Sequence, residues 1–175
     1  MRIFIKHTDS RMTSEVFIKY IANTHLGLAE DELIIDRNEY GKPCLRNFPN
    51  IHYNISHTKG LIVCAIADSC VGIDVERVRS FKRGIVERFF SPQEREYIFA
   101  SHRHQEERFA EIWTRKEAYV KWLGKGMAVP FESFDVKQEI TEMLYSFTHD
   151  NCYAISVCCE SLEYKNTEIT MGRIT

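Results

Sequence analysis

In the stretch Gly72-Ile73-Asp74-Val75-Glu76 two carboxylates stand two residues apart. On a strand, residues i and i+2 point to the same side, so Asp74 and Glu76 project together while Ile73 and Val75 face a core. Neighbouring carboxylates repel each other, and a hard divalent cation is the usual reason to hold them side by side. The plainer alternative is a solvated strand end with its acids paired to Arg77 and Arg79. Residues 113–121, WTRKEAYVK, pose a second question. At about 100° per residue, Phe109, Ile112, Trp113, Tyr119, Val120 and Leu123 form one apolar arc, and Lys116 falls inside it. Glu117 and Lys121, one helical turn apart, share a neighbouring face with Thr114. Alone they make a surface ion pair worth about 0.3–0.5 kcal/mol. The third group is Asn54-Ile55-Ser56-His57-Thr58 at a strand end. Its hydroxyls and imidazole suit phosphate oxygens, or they satisfy only their own turn. The fourth is Glu94 in FFSPQE, by position a capping-box acid that can also do a second job.

Stepping outward, the elements that would carry these groups are legible. Residues 12–27 have Val16, Phe17, Tyr20 and Ile21 at helical spacing, with Gly27 as a stop. Residues 33–36 predict a short strand, and EYGKP (39–43) a loop. Strands follow at 52–56, 61–67 and 71–76, the middle one apolar throughout as if buried on both faces. Residues 83–90 and 91–100 predict helices. The second opens with Ser91 as N-cap, Pro92 in the first helical position and Glu94 three after the cap. A long helix is predicted over 105–123, ended by GKG (124–126). Strands at 134–136, 143–147, 152–159 and 168–171 complete the chain. Together these predict an α+β fold of two halves, 1–78 and 79–175, meeting near residue 79.

The 175 residues carry a formal net charge of −2, are 44% apolar and 27% charged, and so suit an ordinary globular protein. That balance argues against a nonspecific nucleic-acid binder. No run approaches the roughly 18 apolar residues of a membrane span, and MRIFIKHTDSR is too short in apolar residues for a secretory signal. No nucleic-acid or membrane partner is expected, and the cytoplasm is the expected location. The six cysteines form no CxxC pair, so they read as free thiols, four of them in or beside apolar strands.

Taken together, EYGKPCL (39–45), FPNIHYNISHT (48–58), VGIDVE (71–76), RFFSPQE (88–94), WTRKEAYVKWLGKG (113–126) and VPFESFDV (129–136) resemble the 4′-phosphopantetheinyl transferases, in particular the surfactin-synthetase-activating type. Order and spacing both fit, and the resemblance covers residues 10–160. It implies a fold of two similar α+β halves related by a pseudo-twofold, with the active site between them. It implies transfer of 4′-phosphopantetheine from coenzyme A, as co-substrate, to a serine of an apo acyl or peptidyl carrier protein. The by-product is 3′,5′-ADP and the metal is Mg²⁺, with Mn²⁺ able to replace it. Position by position, Asp74, Glu76 and Glu117 become metal ligands, and Lys121 a pyrophosphate contact in catalysis. Ser56, His57 and Lys42 become coenzyme A contacts. The base that takes the serine proton falls to Glu94 or Glu117. Lys116 is the lysine of the Lys-Glu pair, its stem expected between the halves and its ammonium on a carboxylate near the metal.

The sequence departs from the family at its N-terminal side, where fewer basic residues precede the match. Arg11 aligns with one of them by its 31-residue spacing from Lys42. Lys6, His7 or a partner chain would substitute for the others, or coenzyme A would bind more weakly. A monomer is expected, with a dimer conceivable. A carrier-docking surface is expected around residues 81–104, where Phe89, Phe90, Tyr97 and Phe99 mix with Lys82, Arg83, Arg88 and Arg95; the aromatics could equally be core. The alternative functions are a non-catalytic coenzyme A or carrier-protein binding module and a Mg²⁺-dependent nucleotide hydrolase.

Overall fold

The computed structural model describes residues 1–8, 12–160 and 168–171. The chain is α+β. Four strands, β1 (Arg2–His7), β4 (His52–Thr58), β5 (Leu61–Ala67) and β9 (Glu168–Met171), form one sheet in the order β4-β5-β1-β9. Three more, β6 (Gly72–Arg77), β7 (Leu144–His149) and β8 (Tyr153–Cys158), form an antiparallel sheet in the order β6-β8-β7. A small hairpin of β2 (Ile35–Arg37) and β3 (Pro43–Leu45) stands apart.

The two larger sheets face each other. Ile3, Ile5, Leu61, Val63 and Ala65 from the first meet Val71, Ile73, Val75, Ile155 and Val157 from the second in one core. The first sheet's outer face, with Phe4, Ile62, Cys64 and Ile66, is covered by α1 (Ser14–Leu26) through Phe17, Ile18 and Ile21. β5 is thus buried on both faces, as its unbroken apolar run requires. The second sheet's outer face is covered by α2 (Arg83–Phe89), α3 (Pro92–Phe99) and, above all, α4 (Gln105–Leu123). α4 ends at Gly124, whose φ of 67° suits the left-handed cap.

Several expectations change. β1 was not foreseen, because Arg2 and Lys6 interrupt its apolar run. In the fold Ile3 and Ile5 face one core and Phe4 the other, while Lys6 is buried with its ammonium 5.5 Å from the Tyr20 ring centre. Residues 134–136 are not a strand. Their backbone groups are met by side chains instead: the Phe134 carbonyl accepts from Lys116 and the Val136 N–H donates to Glu94. The sheets also divide ahead of β6 rather than after Val78, since β6 ladders with β8 from Gly72↔Cys158 to Arg77↔Tyr153. All six cysteines are free thiols. Among the described residues no helix is long and apolar enough to cross a membrane.

Candidate active site

The groups converge where β4, the edge of the first sheet, meets β6, the edge of the second. Strand alternation sends Ile73 and Val75 into the shared core and turns Asp74 and Glu76 toward α4. The strands have no ladder between them there. Side chains join them instead: Asn54 Oδ1 accepts from the Ile73 N–H at 2.9 Å, and Ser56 Oγ donates to Asp74 Oδ1 at 2.7 Å. Both residues are buried and lie two apart on β4, so they share one face.

Gly72 sets how closely α4 approaches. A Cβ placed there would lie 2.1 Å from the Ala118 carbonyl oxygen and 2.4 Å from the Trp122 nitrogen. No side chain fits against that backbone, so glycine alone lets β6 lie under the turn of α4 carrying Glu117 and Lys121. Lys121 Nζ then reaches Asp74 Oδ1 at 2.6 Å, Ser56 Oγ at 3.1 Å and the Ile73 carbonyl at 3.2 Å. An ammonium has three donors, and here all three are met by the protein.

Asp74 is 5% exposed, and its second oxygen, Oδ2, is buried with no hydrogen bond. Burial pushes the carboxyl groups of Glu76 and Glu117 above their ordinary value, and the charge of Asp74 pushes both further. Lys121 pulls both back, as does Arg79 for Glu76. Three mutually repelling acids, one with a bare buried oxygen, suit a hard cation with oxygen ligands. They fit Mg²⁺ by donor type. Among the described residues they do not gather with all their ligand atoms within 4.8 Å of one another.

Below the acids lies a set of hydroxyls that the sequence reading did not assign. Ser156, opposite Asp74 in the ladder, is bonded to Thr114 Oγ1 at 2.7 Å and to Ser146 Oγ at 2.9 Å, and Arg115 Nε donates to Ser146 Oγ at 3.0 Å. The signal was present in part, since Thr114 shares the face of Glu117 and Lys121. The serines belong to strands whose neighbours only the fold reveals.

Lys42 is half-buried, and burial lowers its ammonium from the ordinary value. Its Nζ donates to the carbonyls of Val71 and Trp122 at 3.0 and 3.3 Å, while Asn38 Nδ2 donates to the Gly124 carbonyl. The GKP loop is thereby fastened to the C-terminus of α4. A cleft of about 470 Å³ opens there, lined by Lys42, Pro43, His52, Tyr53, Cys70 and Trp122 among others. That is within the usual size of small-molecule sites, roughly 300–1,000 Å³. His57 is exposed and, by alternation, on the opposite face of β4 from Ser56. Arg11 lies outside the described residues. His7 is 3.0 Å from Asp150.

Two expectations are corrected. Glu94 is fully buried, and its oxygens accept from the Ser91 N–H at 2.8 Å, the Val136 N–H at 2.9 Å and Lys116 Nζ at 3.0 Å. It is the capping-box acid of α3 and has no route to a reacting proton. Lys116 does not support the acids of the site. Its stem runs through the core of the second sheet, and its ammonium meets Glu94 and the carbonyls of Phe131 and Phe134, 4.4 Å from the Phe134 ring centre.

Residues 70–171 match the family described as the 4′-phosphopantetheinyl transferase superfamily, and residues 2–69 that described as 4′-phosphopantetheinyl transferase, N-terminal. Relatives include the 4′-phosphopantetheinyl transferase gsp of Aneurinibacillus migulanus, 37% identical over 79% of this chain and 58% of that protein. The 4′-phosphopantetheinyl transferase Sfp of Bacillus subtilis strain 168 is 32% identical over 78% of this chain and 62% of its own length. A further Bacillus subtilis 4′-phosphopantetheinyl transferase is 31% identical over 95% of this chain and 84% of its length. The match spans about three fifths of the length of Sfp.

Proposed function

Because the chain belongs to the 4′-phosphopantetheinyl transferase superfamily, we propose that it transfers the 4′-phosphopantetheine of coenzyme A to a serine of an apo acyl or peptidyl carrier protein, releasing 3′,5′-ADP. The observation that carries this reading is the buried, unbonded Oδ2 of Asp74, beside two glutamates whose protons its charge helps to hold. Asp74, Glu76 and Glu117 would hold Mg²⁺, or Mn²⁺ in its place. When bound, the ion supplies positive charge to the pyrophosphate oxygens.

The chain's own residues do the rest by positioning and charge. Lys121 and Ser56 hold Asp74 in place, and Lys121 turns an N–H to the pyrophosphate by giving up one of its present acceptors. The cleft at Lys42 takes the nucleotide; His57, exposed on the face of β4 opposite Ser56, is not part of its lining. The carrier serine oxygen forms a bond to the β-phosphorus as the bond to the 3′,5′-ADP oxygen breaks, and the serine proton passes to Glu117. Glu94 is too enclosed to take it.

The carrier would dock on α2 and α3. Arg83 and Arg88 are exposed there, their guanidinium carbons 4.7 and 5.0 Å from the ring centres of Phe99 and Phe89. Phe90, by contrast, is core. Such arginine-over-aromatic pairs suit an acidic partner surface. The protein acts as a cytoplasmic monomer in this reading.

The test is to incubate the protein with coenzyme A, Mg²⁺ and an apo carrier protein and to weigh the carrier. A gain of one phosphopantetheinyl group per carrier is expected. An unmodified carrier with intact bound coenzyme A would make the chain a binding module. An unmodified carrier with consumed coenzyme A would make it a hydrolase.

A further inference from the structure

Away from the acids, the second sheet touches the first at the tip of the β7–β8 hairpin. The turn there has Asp150 and Asn151 at φ 49° and 54°, with the Cys152 N–H bonded to the His149 carbonyl. It brings His149 and Asp150 against His7 at the end of β1. His7 Nε2 lies 3.0 Å and His149 Nε2 3.5 Å from the same oxygen, Asp150 Oδ2. All three ligand atoms lie within 4.8 Å of one another.

An ordinary ion pair explains only half of this. His7 is 62% exposed, and its contact with Asp150 needs nothing further. His149 is 8% exposed, and its Nε2 is buried without a hydrogen bond while aimed at an oxygen that His7 already occupies. Two protonated imidazoles on one oxygen repel each other. Neutral rings with lone pairs inward repel the carboxylate, and rings with Nε2–H inward would donate to it, yet His149 Nε2, 3.5 Å from the oxygen, makes no hydrogen bond. A cation between the three groups gives that buried nitrogen a partner and removes the repulsion.

We propose that His7, His149 and Asp150 form a zinc site joining the two sheets. Two imidazole nitrogens and a carboxylate oxygen suit Zn²⁺ and not Mg²⁺. Ligands at 2.0–2.1 Å on a tetrahedron lie about 3.4 Å apart, close to the 3.0 and 3.5 Å already present from the two imidazoles to Asp150. The fourth position is left to water, since a groove of about 590 Å³ lined by His7, Thr8, Gly60 and Tyr153 opens beside His7. Because β1 belongs to one sheet and the hairpin to the other, the ion acts as a clip between them, separate from the Asp74 centre.

The experiment uses the full chain, stripped with chelator, alkylated at its exposed thiols, held in excess Mg²⁺ and titrated with Co²⁺ as a visible probe for zinc. The expected result is one equivalent bound, with a ligand-field spectrum lacking thiolate charge transfer, displacement by Zn²⁺, and a raised unfolding temperature. His7→Ala, at an exposed position, and Asp150→Asn, which tolerates the left-handed turn, should each fold as the parent and weaken binding by about tenfold or more. Absence of binding, or affinity unchanged in His7→Ala and Asp150→Asn, overturns the proposal. So does loss confined to His149→Ala.

Discussion

Asp74 matters more for the oxygen it leaves bare than for the two bonds on the other. Asp74→Asn keeps the shape and the bond from Ser56 but removes the charge. A bound metal supplies several kcal/mol of transition-state stabilisation, so carrier modification should fall by about a hundredfold or more. Mass spectrometry of the carrier checks this, with circular dichroism confirming the fold; near-parental turnover would remove Asp74 from the metal set. Lys116 makes the opposite case, a charge spent on structure. Burial lowers its ammonium from the ordinary value while Glu94 raises it again. Lys116→Met leaves the fully buried Glu94 carboxyl short of its ion partner, a change that costs about 3–5 kcal/mol, read as a shift in urea midpoint. Adding Glu94→Gln should cost less than the two single changes summed. Coenzyme A affinity of the folded variant should stay near that of the parent. At this scale the sequence marked Lys116 as a charge inside an apolar arc and singled out Asp74, Glu117, Lys121 and Ser56 by type and spacing, each with a plainer reading beside it. It could not disclose the partner of Lys116, because Glu94 reaches it only through tertiary packing.

The key element pair is β6 against α4, and its spacing is set by one absent side chain. Gly72→Ala would drive a methyl group into the α4 backbone at Ala118 and Trp122. The helix must lift, carrying Glu117 and Lys121 away from Asp74. The variant is expected to lose turnover more steeply than stability, with Mg²⁺ titration showing weaker binding. Unchanged metal affinity would mean that the helix position does not set the site. α4 was readable from residue 105 to 123 because its apolar arc, its GKG stop and its length agree. α3 was readable from its capping box, in which Ser91 Oγ accepts from the Glu94 N–H at 3.1 Å. β1 was hidden by its charged residues, and 134–136 was overread because an apolar triplet can be held by side chains as well as by a ladder.

Across the whole molecule, two sheets share one core and carry helices on their outer faces, and several groups packed on those outer faces ionise above their usual values. Burial raises the thiols of Cys64 and Cys158 and the phenols of Tyr53 and Tyr119, and raises Tyr97 to about 12. The unfolded chain sheds these protons at ordinary thiol and phenol values, near 8.5 and 10, while the folded chain keeps them. Their contribution is complete below about pH 8.5 and declines as pH rises beyond it. Lys42 and Lys116, lowered by burial, act in the other direction and soften the decline. Urea midpoints measured from pH 7 to 10 should fall, and a rising midpoint would contradict the burial. How the halves meet was beyond sequence reading, since β6 looks like a continuation of the strands before it yet ladders with β8. The same holds for β9, which runs parallel to β1 with Arg2 opposite Glu168. Ending the chain after Glu160 removes that cover and exposes the β1 edge; light scattering should then show self-association, and a monodisperse product would count against it. Synthesis imposes the same gap in time. At about 5–20 residues per second, β1 leaves the ribosome on the order of ten seconds before β9, so through that interval the β1 edge that β9 later covers stands open.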